Sequence, residues 1–161
     1  MNNNFFTIAI DGASASGKTT GSKFIAKKFG FKLLTSGKLY RYLALCILKN
    51  NGKHNYNFIN KVAKNISLKK LNSSQLYSTE VTKLTSIIAK KKYVRFALKK
   101  FQKNFIKENQ KIIIEGRDIA SKIMPNADLK IFFKCSTKEK TKRRLKEFKK
   151  NNKKTKLKEV E

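Results

Sequence analysis

Eight consecutive residues near the start of the chain have the types and spacing of a phosphate-binding loop. Residues 12–19 read Gly-Ala-Ser-Ala-Ser-Gly-Lys-Thr, which matches the pattern G-x-x-x-x-G-K-[ST]. Glycine at Gly12 and Gly17 lets the backbone curl so that successive N–H groups form a nest for phosphate oxygens. Lys18 adds a positive charge for the outer phosphates, Thr19 offers a hydroxyl to Mg²⁺, and a helix starting near Lys18 points its positive end at the same anion. The pattern predicts a nucleoside triphosphate site formed by Gly12, Ala13, Ser14, Ala15, Ser16, Gly17, Lys18, Thr19 and Thr20.

The arginines are a second set of residues whose type suggests chemistry. The chain has 39 basic residues, of which only five are arginine and the rest lysine. In such a chain a retained arginine indicates a need for the planar guanidinium fork, which binds carboxylates and phosphates bidentately. The alternative is that they lie on solvated surfaces. These five are Arg41, Arg95, Arg117, Arg143 and Arg144.

The elements that would position these residues alternate between strand and helix. Phe5–Ile10 reads as a buried strand that leads into the loop. Thr20–Phe29 reads as a helix with Phe24, Ile25 and Phe29 on one face, ended by Gly30. This alternation predicts an α/β fold with a parallel sheet flanked by helices and ligands at the carboxyl ends of the strands. The further predicted elements are a strand at 31–34, a turn at 35–37, helical segments at 39–48, 58–66, 81–89 and 93–107, strands at 111–115 and 129–133, and a last helix opened by a Ser136/Glu139 capping box.

Composition sets the remaining bounds. At 161 residues the chain is one domain by length. Cys46 and Cys135 lie in apolar surroundings, so we expect buried, reduced thiols and a cytoplasmic protein. No apolar stretch reaches the length of a membrane span, so we expect no membrane partner. The net charge of +29 suggests a nucleic-acid binder, but the lysines are scattered and no recognition motif accompanies them, so we expect no specific nucleic-acid partner.

Taken together, the motifs resemble those of the bacterial cytidylate (CMP) kinases. Besides the phosphate loop, the resemblance depends on Ser36-Gly37-Lys38-Leu39-Tyr40-Arg41, on the stretch from Thr85-Ser86 to Val94-Arg95, and on Gly116-Arg117-Asp118. It covers essentially the whole chain. It implies a P-loop NTPase fold in a single kinase domain, 1–161. The core would be 1–52 and 93–150, with an inserted nucleoside-monophosphate-binding subdomain at about 53–92 and a basic C-terminal stretch at 149–161.

The resemblance also implies roles for individual residues. Lys18, Arg117 and Arg144 would be catalytic, with Arg144 reaching in from the helix after the fourth strand. Thr19 and Glu115 would hold the metal, Glu115 through a bound water, although an ordinary solvated carboxylate is a near-equal alternative there. The residues that would face CMP or dCMP are Ser36, Arg41, Ser86, Arg95, Arg117 and Asp118. A carboxylate, a hydroxyl and a guanidinium together satisfy the edge of cytosine, whereas uracil would set a carbonyl against the carboxylate.

The chain departs from the family pattern at several positions. Glu115 stands where the family usually has aspartate, Lys140 where an arginine commonly packs near the ATP base, Lys134 where an acidic residue is usual, and Lys92 where a proline is. We also expect the family's last strand and final helix, with paired arginines before them, to be missing. Residues 1–161 alone would then turn over CMP poorly.

The implied function is ATP-dependent phosphorylation of CMP or dCMP by a monomeric enzyme, with ATP and Mg²⁺ as cofactors. One alternative is a kinase for another small acceptor, such as UMP or AMP, on the same scaffold. Another is a catalytically impaired fragment with non-specific affinity for nucleic acid. A GTPase is disfavoured because the chain has no Asn-Lys-x-Asp motif.

Overall fold

The computed structural model describes residues 5–151, apart from the side chains of residues 144 and 147–151. Within it the strands are β1 (Phe6–Gly12), β2 (Lys32–Thr35), β3 (Lys111–Gly116) and β4 (Leu129–Phe133). The helices are α1 (Lys18–Phe29), α2 (Ser36–Lys49), α3 (Tyr56–Lys64), α4 (Thr79–Ile88), α5 (Lys92–Lys107) and α6 (Thr137–Asn151). Short helical turns occupy Leu68–Asn72, Ser74–Tyr77 and Ile119–Ile123.

The strands form one parallel sheet in the order β2-β3-β1-β4, which confirms the predicted P-loop NTPase fold class. The central strands β1 and β3 are buried along nearly their whole length, as expected for strands covered on both faces. β4 pairs with β1 in parallel register, from Ile8 opposite Leu129 to Gly12 opposite Phe133. β4 is less buried than β1 and β3: Ile131 and Phe133 are partly buried, and the other three residues are exposed.

The chain divides into two compact units. The first, here called the phosphate-loop unit, consists of Phe6–Leu33 and the described residues from Ile113 onward. Its core is formed by Ile8, Ile10 and Ile113, against which Ile25 and Phe133 pack with other partly buried apolar side chains. The prediction of an inserted subdomain at 53–92 stays a prediction.

The second, here called the helical unit, comprises Leu34–Ile112 and Phe5. In α2 the buried residues Leu39, Leu43 and Ile47 recur at intervals of four, which places them on one face of the helix. α3 is opened by Asn55, whose side chain accepts a hydrogen bond from Phe58 N, and α4 by Ser78, which accepts one from Val81 N. Across the described residues, no helix combines the length and the apolar character needed to cross a membrane.

Two local predictions were wrong. Ser36 and Gly37 are the first residues of α2, not a turn, since Thr35 in extended conformation takes the N-cap position. Phe24 and Phe29 are 65% and 56% exposed, because α1 packs on the core through a narrow stripe that includes Ile25 and Ala26. The ammonium of Lys28 lies over both rings, 5.8 Å and 5.6 Å from their centroids.

The cysteines also differ from expectation. Cys46 and Cys135 are free thiols, as predicted, but both are only partly buried. Cys46 lies on α2, one turn after Tyr42. Burial, together with the neighbouring Cys46 side chain, raises the pKa of the Tyr42 phenol.

Candidate active site

The phosphate loop connects the end of β1 to the start of α1 and depends on backbone conformations that favour small residues. Ala15 has a φ of 58° and Gly17 a φ of 91°, both in the left-handed region. A Cβ at Gly12 would lie 2.8 Å from both Phe133 O and Ser16 Oγ, so only glycine fits there. Ser16 N donates a hydrogen bond back to Ala13 O at 3.4 Å, so residues 12–17 form a tight turn.

The side chain of Ser16 is an unsatisfied polar group inside this loop. Ser16 is buried, and its Oγ has no hydrogen-bond partner in the part of the chain that the structure describes. A buried hydroxyl without a partner costs free energy unless a ligand or water completes it.

Lys18 and Thr19 follow at the first turn of α1. Lys18 Nζ donates a hydrogen bond to Ala13 O at 2.9 Å, so its ammonium lies over the loop. Thr19 Oγ1 donates to Glu115 Oε1 at 2.9 Å. Glu115 is only 1% exposed at the end of β3, which excludes the alternative of a solvated surface carboxylate. A threonine hydroxyl and a carboxylate side by side are oxygen ligands of the kind that Mg²⁺ prefers.

The turn after β3 carries Arg117 and Asp118, both exposed. Asp118 has a φ of 59°, and its carboxylate lies 3.6 Å from Lys122 Nζ in a solvent-exposed ion pair. Such a pair contributes little stability. Hydrogen bonds to Asp11 stabilise the turn instead: the Asp11 carboxylate accepts one from Ile119 N and one from Ala120 N.

Sequence reasoning missed two residues of this unit. One is Asp11, whose bonding partners lie more than one hundred residues away in sequence, so no local pattern indicates them. The other is the place of Arg143, which the sequence singled out only as an arginine and assigned no role: its Nη1 lies 3.1 Å from the position that a Cβ on Gly17 would occupy. Arg143 is anchored to α6 by a 3.3 Å ion pair between its Nε and Glu139 Oε1. The neighbouring Arg144, predicted to be catalytic, has a side chain outside the described part of the chain.

The start of α6 follows its sequence signature. Ser136 Oγ accepts a hydrogen bond from Glu139 N at 3.2 Å, which is the serine half of the predicted capping box. The carboxylate of Glu139 is engaged by Arg143. The cap therefore fixes the first turn of the helix that carries the arginine beside the loop.

In the helical unit, α2 carries two of the predicted acceptor-binding residues. Ser36 is buried and its Oγ accepts a hydrogen bond from Gln102 Nε2 of α5 at 2.9 Å. Arg41 Nη1 donates to Leu76 O at 2.9 Å and to Thr82 Oγ1 at 2.8 Å. Its guanidinium stands 5.0 Å from the centroid of the Tyr77 ring. These contacts hold the fork of Arg41 in one orientation.

The other two predicted residues of this unit lie on different helices. Ser86 is on α4, exposed, and its Oγ donates to Lys83 O at 2.7 Å. Arg95 is exposed on the first turns of α5. The structure thus places Thr82 and Tyr77 against the guanidinium of Arg41. Ser86 lies on α4 and Arg95 on α5.

A parallel sheet whose first strand runs into a glycine-rich loop and helix, with a lysine and a threonine at its start, defines the class of phosphate-loop nucleotide-binding proteins. The profile of the cytidylate kinase family matches residues 8–161. The chain therefore belongs to the cytidylate kinase family.

Individual relatives agree with the profile. The chain is 37% identical over 157 residues to a cytidylate kinase of Fusobacterium nucleatum, with 88% of this chain and 69% of the relative covered. It is 36% identical to a cytidylate kinase of Pseudothermotoga lettingae, with 92% and 70% covered. A cytidylate kinase of Thermotoga maritima is 34% identical, with 97% and 76% covered. The chain thus spans about seven tenths of the length of these relatives.

Proposed function

We propose that this protein is a nucleoside monophosphate kinase that transfers the γ-phosphate of ATP to CMP or dCMP, which gives CDP or dCDP and ADP. The observation that carries the proposal is the phosphate loop on β1 and α1 in a chain of the cytidylate kinase family. An ionised phosphate oxygen of the acceptor forms the new P–O bond, and the bond between the γ-phosphorus and the β,γ-bridging oxygen breaks. Because that oxygen is already ionised, no general base is needed.

Binding of the triphosphate is assigned to the loop. The backbone N–H groups of residues 12–20 surround the phosphates. The ammonium of Lys18 neutralises the outer phosphates. Arg143, whose guanidinium lies beside Gly17, adds a second positive charge on the same side of the loop. Arg144 stays a prediction from the resemblance.

Thr19 and Glu115 fit a magnesium site. They provide a hydroxyl and a buried carboxylate within 2.9 Å of each other, next to the phosphate loop. When bound, Mg²⁺ supplies positive charge that stabilises the oxygens of the transferring phosphoryl group. Glutamate here in place of the usual aspartate keeps the charge, and the hydrogen bond from Thr19 fixes where the longer side chain ends.

Recognition of the acceptor is assigned to arginines and to one carboxylate. Arg41 and Arg117 bind the acceptor phosphate, and Arg41 is already held by Thr82 and Tyr77. The carboxylate of Asp118 accepts a hydrogen bond from the amino group of cytosine. Ser86 and Arg95 donate hydrogen bonds to the acceptor atoms of the base, and Ser36 faces the same nucleotide. Uracil is rejected because its carbonyl would face the carboxylate and leave both groups unpaired.

The experiment is a substrate panel on the intact protein, with ADP release as the readout. CMP and dCMP should exceed UMP and AMP in kcat/KM by about two orders of magnitude, since a polar group that the bound base covers and leaves unpaired costs about 1–3 kcal/mol. Asp118→Ala should erode that preference. Equal rates for all four acceptors in the wild-type protein would refute the assignment.

Triphosphate binding is tested separately. Lys18→Ala should lower kcat/KM about a hundredfold, since a charged hydrogen bond to phosphate contributes about 2–3 kcal/mol. Lys23→Ala, an exposed lysine in the middle of α1, is the matched control and should leave the rate unchanged. No heat of ATP binding in the presence of magnesium would contradict the role of the loop.

We also expect a monomer acting in the cytoplasm on freely diffusing nucleotides. Sedimentation equilibrium with and without substrates measures the oligomeric state. A concentration-independent dimer would overturn the first part of this expectation.

A further inference from the structure

Asp11, the last residue before the glycine-rich loop, is a buried carboxylate whose two oxygens both hold the turn after β3. It is only 8% exposed. Its Oδ1 accepts a hydrogen bond from Ile119 N at 2.8 Å, and its Oδ2 accepts one from Ala120 N at 2.9 Å. Hydrogen bonds from N–H groups to a carboxylate are about twice as strong as neutral ones. Asp11 therefore fixes the backbone that immediately follows Asp118.

That backbone needs fixing, because Asp118 adopts an unfavourable conformation. Its φ of 59° lies in the left-handed region, which costs a non-glycine residue free energy unless the surroundings compensate. Ile119 and Ala120 open the short helical turn Ile119–Ile123, and their N–H groups have no carbonyl partner within a turn of that kind. The carboxylate of Asp11 satisfies both donors and so sustains the turn in which Asp118 sits.

The same residue is covalently joined to the phosphate loop. Asp11 and Gly12 are the last two residues of β1, and Gly12 is the first residue of the phosphate loop. Asp11 thus connects the two segments: its peptide bond joins it to the first residue of the phosphate loop, and its side chain is hydrogen-bonded to the backbone that follows Asp118. An asparagine would keep one accepting oxygen but place an NH₂ group against the second N–H donor.

We propose that Asp11 is a positioning residue that sets the base selectivity of the enzyme by holding Asp118 in its left-handed conformation next to the phosphate loop. This inference rests on the proposed function, in which the Asp118 carboxylate reads the amino group of cytosine. Asp11 itself touches no substrate. Its loss should therefore appear as a loss of discrimination between CMP and UMP more than as a loss of ATP binding.

The chain offers a matched control in Asp128, which forms a similar clamp at the other end of β1. Asp128 Oδ2 accepts hydrogen bonds from both N and Oγ1 of Thr7 at 2.8 Å. Thr7 lies four residues before Asp11 on the same strand. Asp128→Asn thus perturbs a carboxylate clamp on β1 without approaching the Arg117-Asp118 turn.

The test compares kcat/KM for CMP with kcat/KM for UMP in wild type, Asp11→Asn and Asp128→Asn, and records KM for ATP and the melting temperature of each. In Asp11→Asn the CMP/UMP ratio should fall at least tenfold while KM for ATP changes less than threefold. Asp128→Asn should lower the melting temperature and leave the ratio unchanged. A ratio within twofold of wild type in Asp11→Asn overturns the inference, and so does an equal fall in both variants.

Ala120→Pro provides the second variant if Asp11→Asn does not fold. It removes the N–H donor of Ala120, the second residue of the turn, from the opposite side of the same contact. The ratio of kcat/KM for CMP to kcat/KM for UMP is again the measurement that tests the inference. If the wild-type protein itself shows no preference for CMP, the proposed function fails and the inference with it. If the wild type prefers CMP and the variants retain that preference, only the role of Asp11 is refuted.

Discussion

Gly21 of α1 offers a quantitative test of how closely this helix, which follows the phosphate loop, packs against Phe133. A Cβ at this position would lie 2.5 Å from Cζ and 3.0 Å from Cε1 of Phe133. The ring cannot simply swing away, because Phe133 packs against the isoleucine core of the phosphate-loop unit. Gly21→Ala therefore forces either the ring or the helix to move.

The expected magnitude follows from two opposing terms. Replacing glycine by alanine inside a helix stabilises it by about 1 kcal/mol. Overpacking a filled site costs about 1–3 kcal/mol. The net expectation is a loss of about 1 kcal/mol in the free energy of unfolding. Gly37→Ala in α2 is the matched control, since a Cβ at Gly37 would meet no atom within 4 Å, so that variant should gain stability.

The assay is urea denaturation, which measures the free energy of unfolding. It compares Gly21→Ala, the control Gly37→Ala, Phe133→Leu and the double variant Gly21→Ala/Phe133→Leu. Leucine lacks the outer ring atoms, so the double-mutant cycle should show a coupling of about 1–2 kcal/mol that favours the pair. Additive effects, or a stabilisation by Gly21→Ala that matches Gly37→Ala, would refute the reasoning. Calorimetry with ATP should show weaker binding in Gly21→Ala and restored binding in the double variant.

Two further predictions concern acid stability and acceptor binding. Hydrogen bonds from the Thr7 side chain and backbone lower the pKa of Asp128, so its contribution to stability is present above the ordinary aspartate pKa and is lost as the pH falls through the lowered one. Thermal melts from pH 7 to pH 2 should therefore show wild type losing its advantage over Asp128→Asn below about pH 4, and a constant gap would contradict this. Thr82→Val removes one hydrogen bond from Arg41, which should raise KM for CMP about fivefold with little change in kcat, since one such bond contributes about 1 kcal/mol. Thr79→Val, an exposed threonine at the first position of α4, is the control, and an equal KM in both variants would refute the role of Thr82.

Local patterns predicted the backbone closely where one short segment contains all the information. β4 begins and ends at the predicted residues, Leu129 and Phe133, and α5 begins one residue earlier than predicted. The motif also predicted the loop between β1 and α1, since the same eight residues that match the pattern bend the chain there, and the triphosphate site assigned to it stays a prediction. The resemblance to cytidylate kinases, read from such local motifs, is confirmed by the family match.

Side-chain environments were predicted less well, because they depend on which surfaces the helices turn towards their neighbours. Phe24 and Phe29 have the same apolar character as Ile25, yet only Ile25 packs on the core. Glu115 could not be distinguished from a surface carboxylate until the sheet buried it beside Thr19. Hydropathy gives the tendency of a residue to be buried, whereas the packing of layers decides which residues are.

The sequence by itself determined the phosphate loop, the strands that flank it and the family, because each depends on residues that are close together along the chain. The tertiary structure alone decided that Asp11 holds the turn after Asp118 and that Arg143 reaches Gly17. It also decided that the ring of Phe133 fills the space at Gly21. Those contacts join residues about 110 to 130 positions apart. Such pairings are made when the strands assemble into a sheet, and no local spacing encodes them.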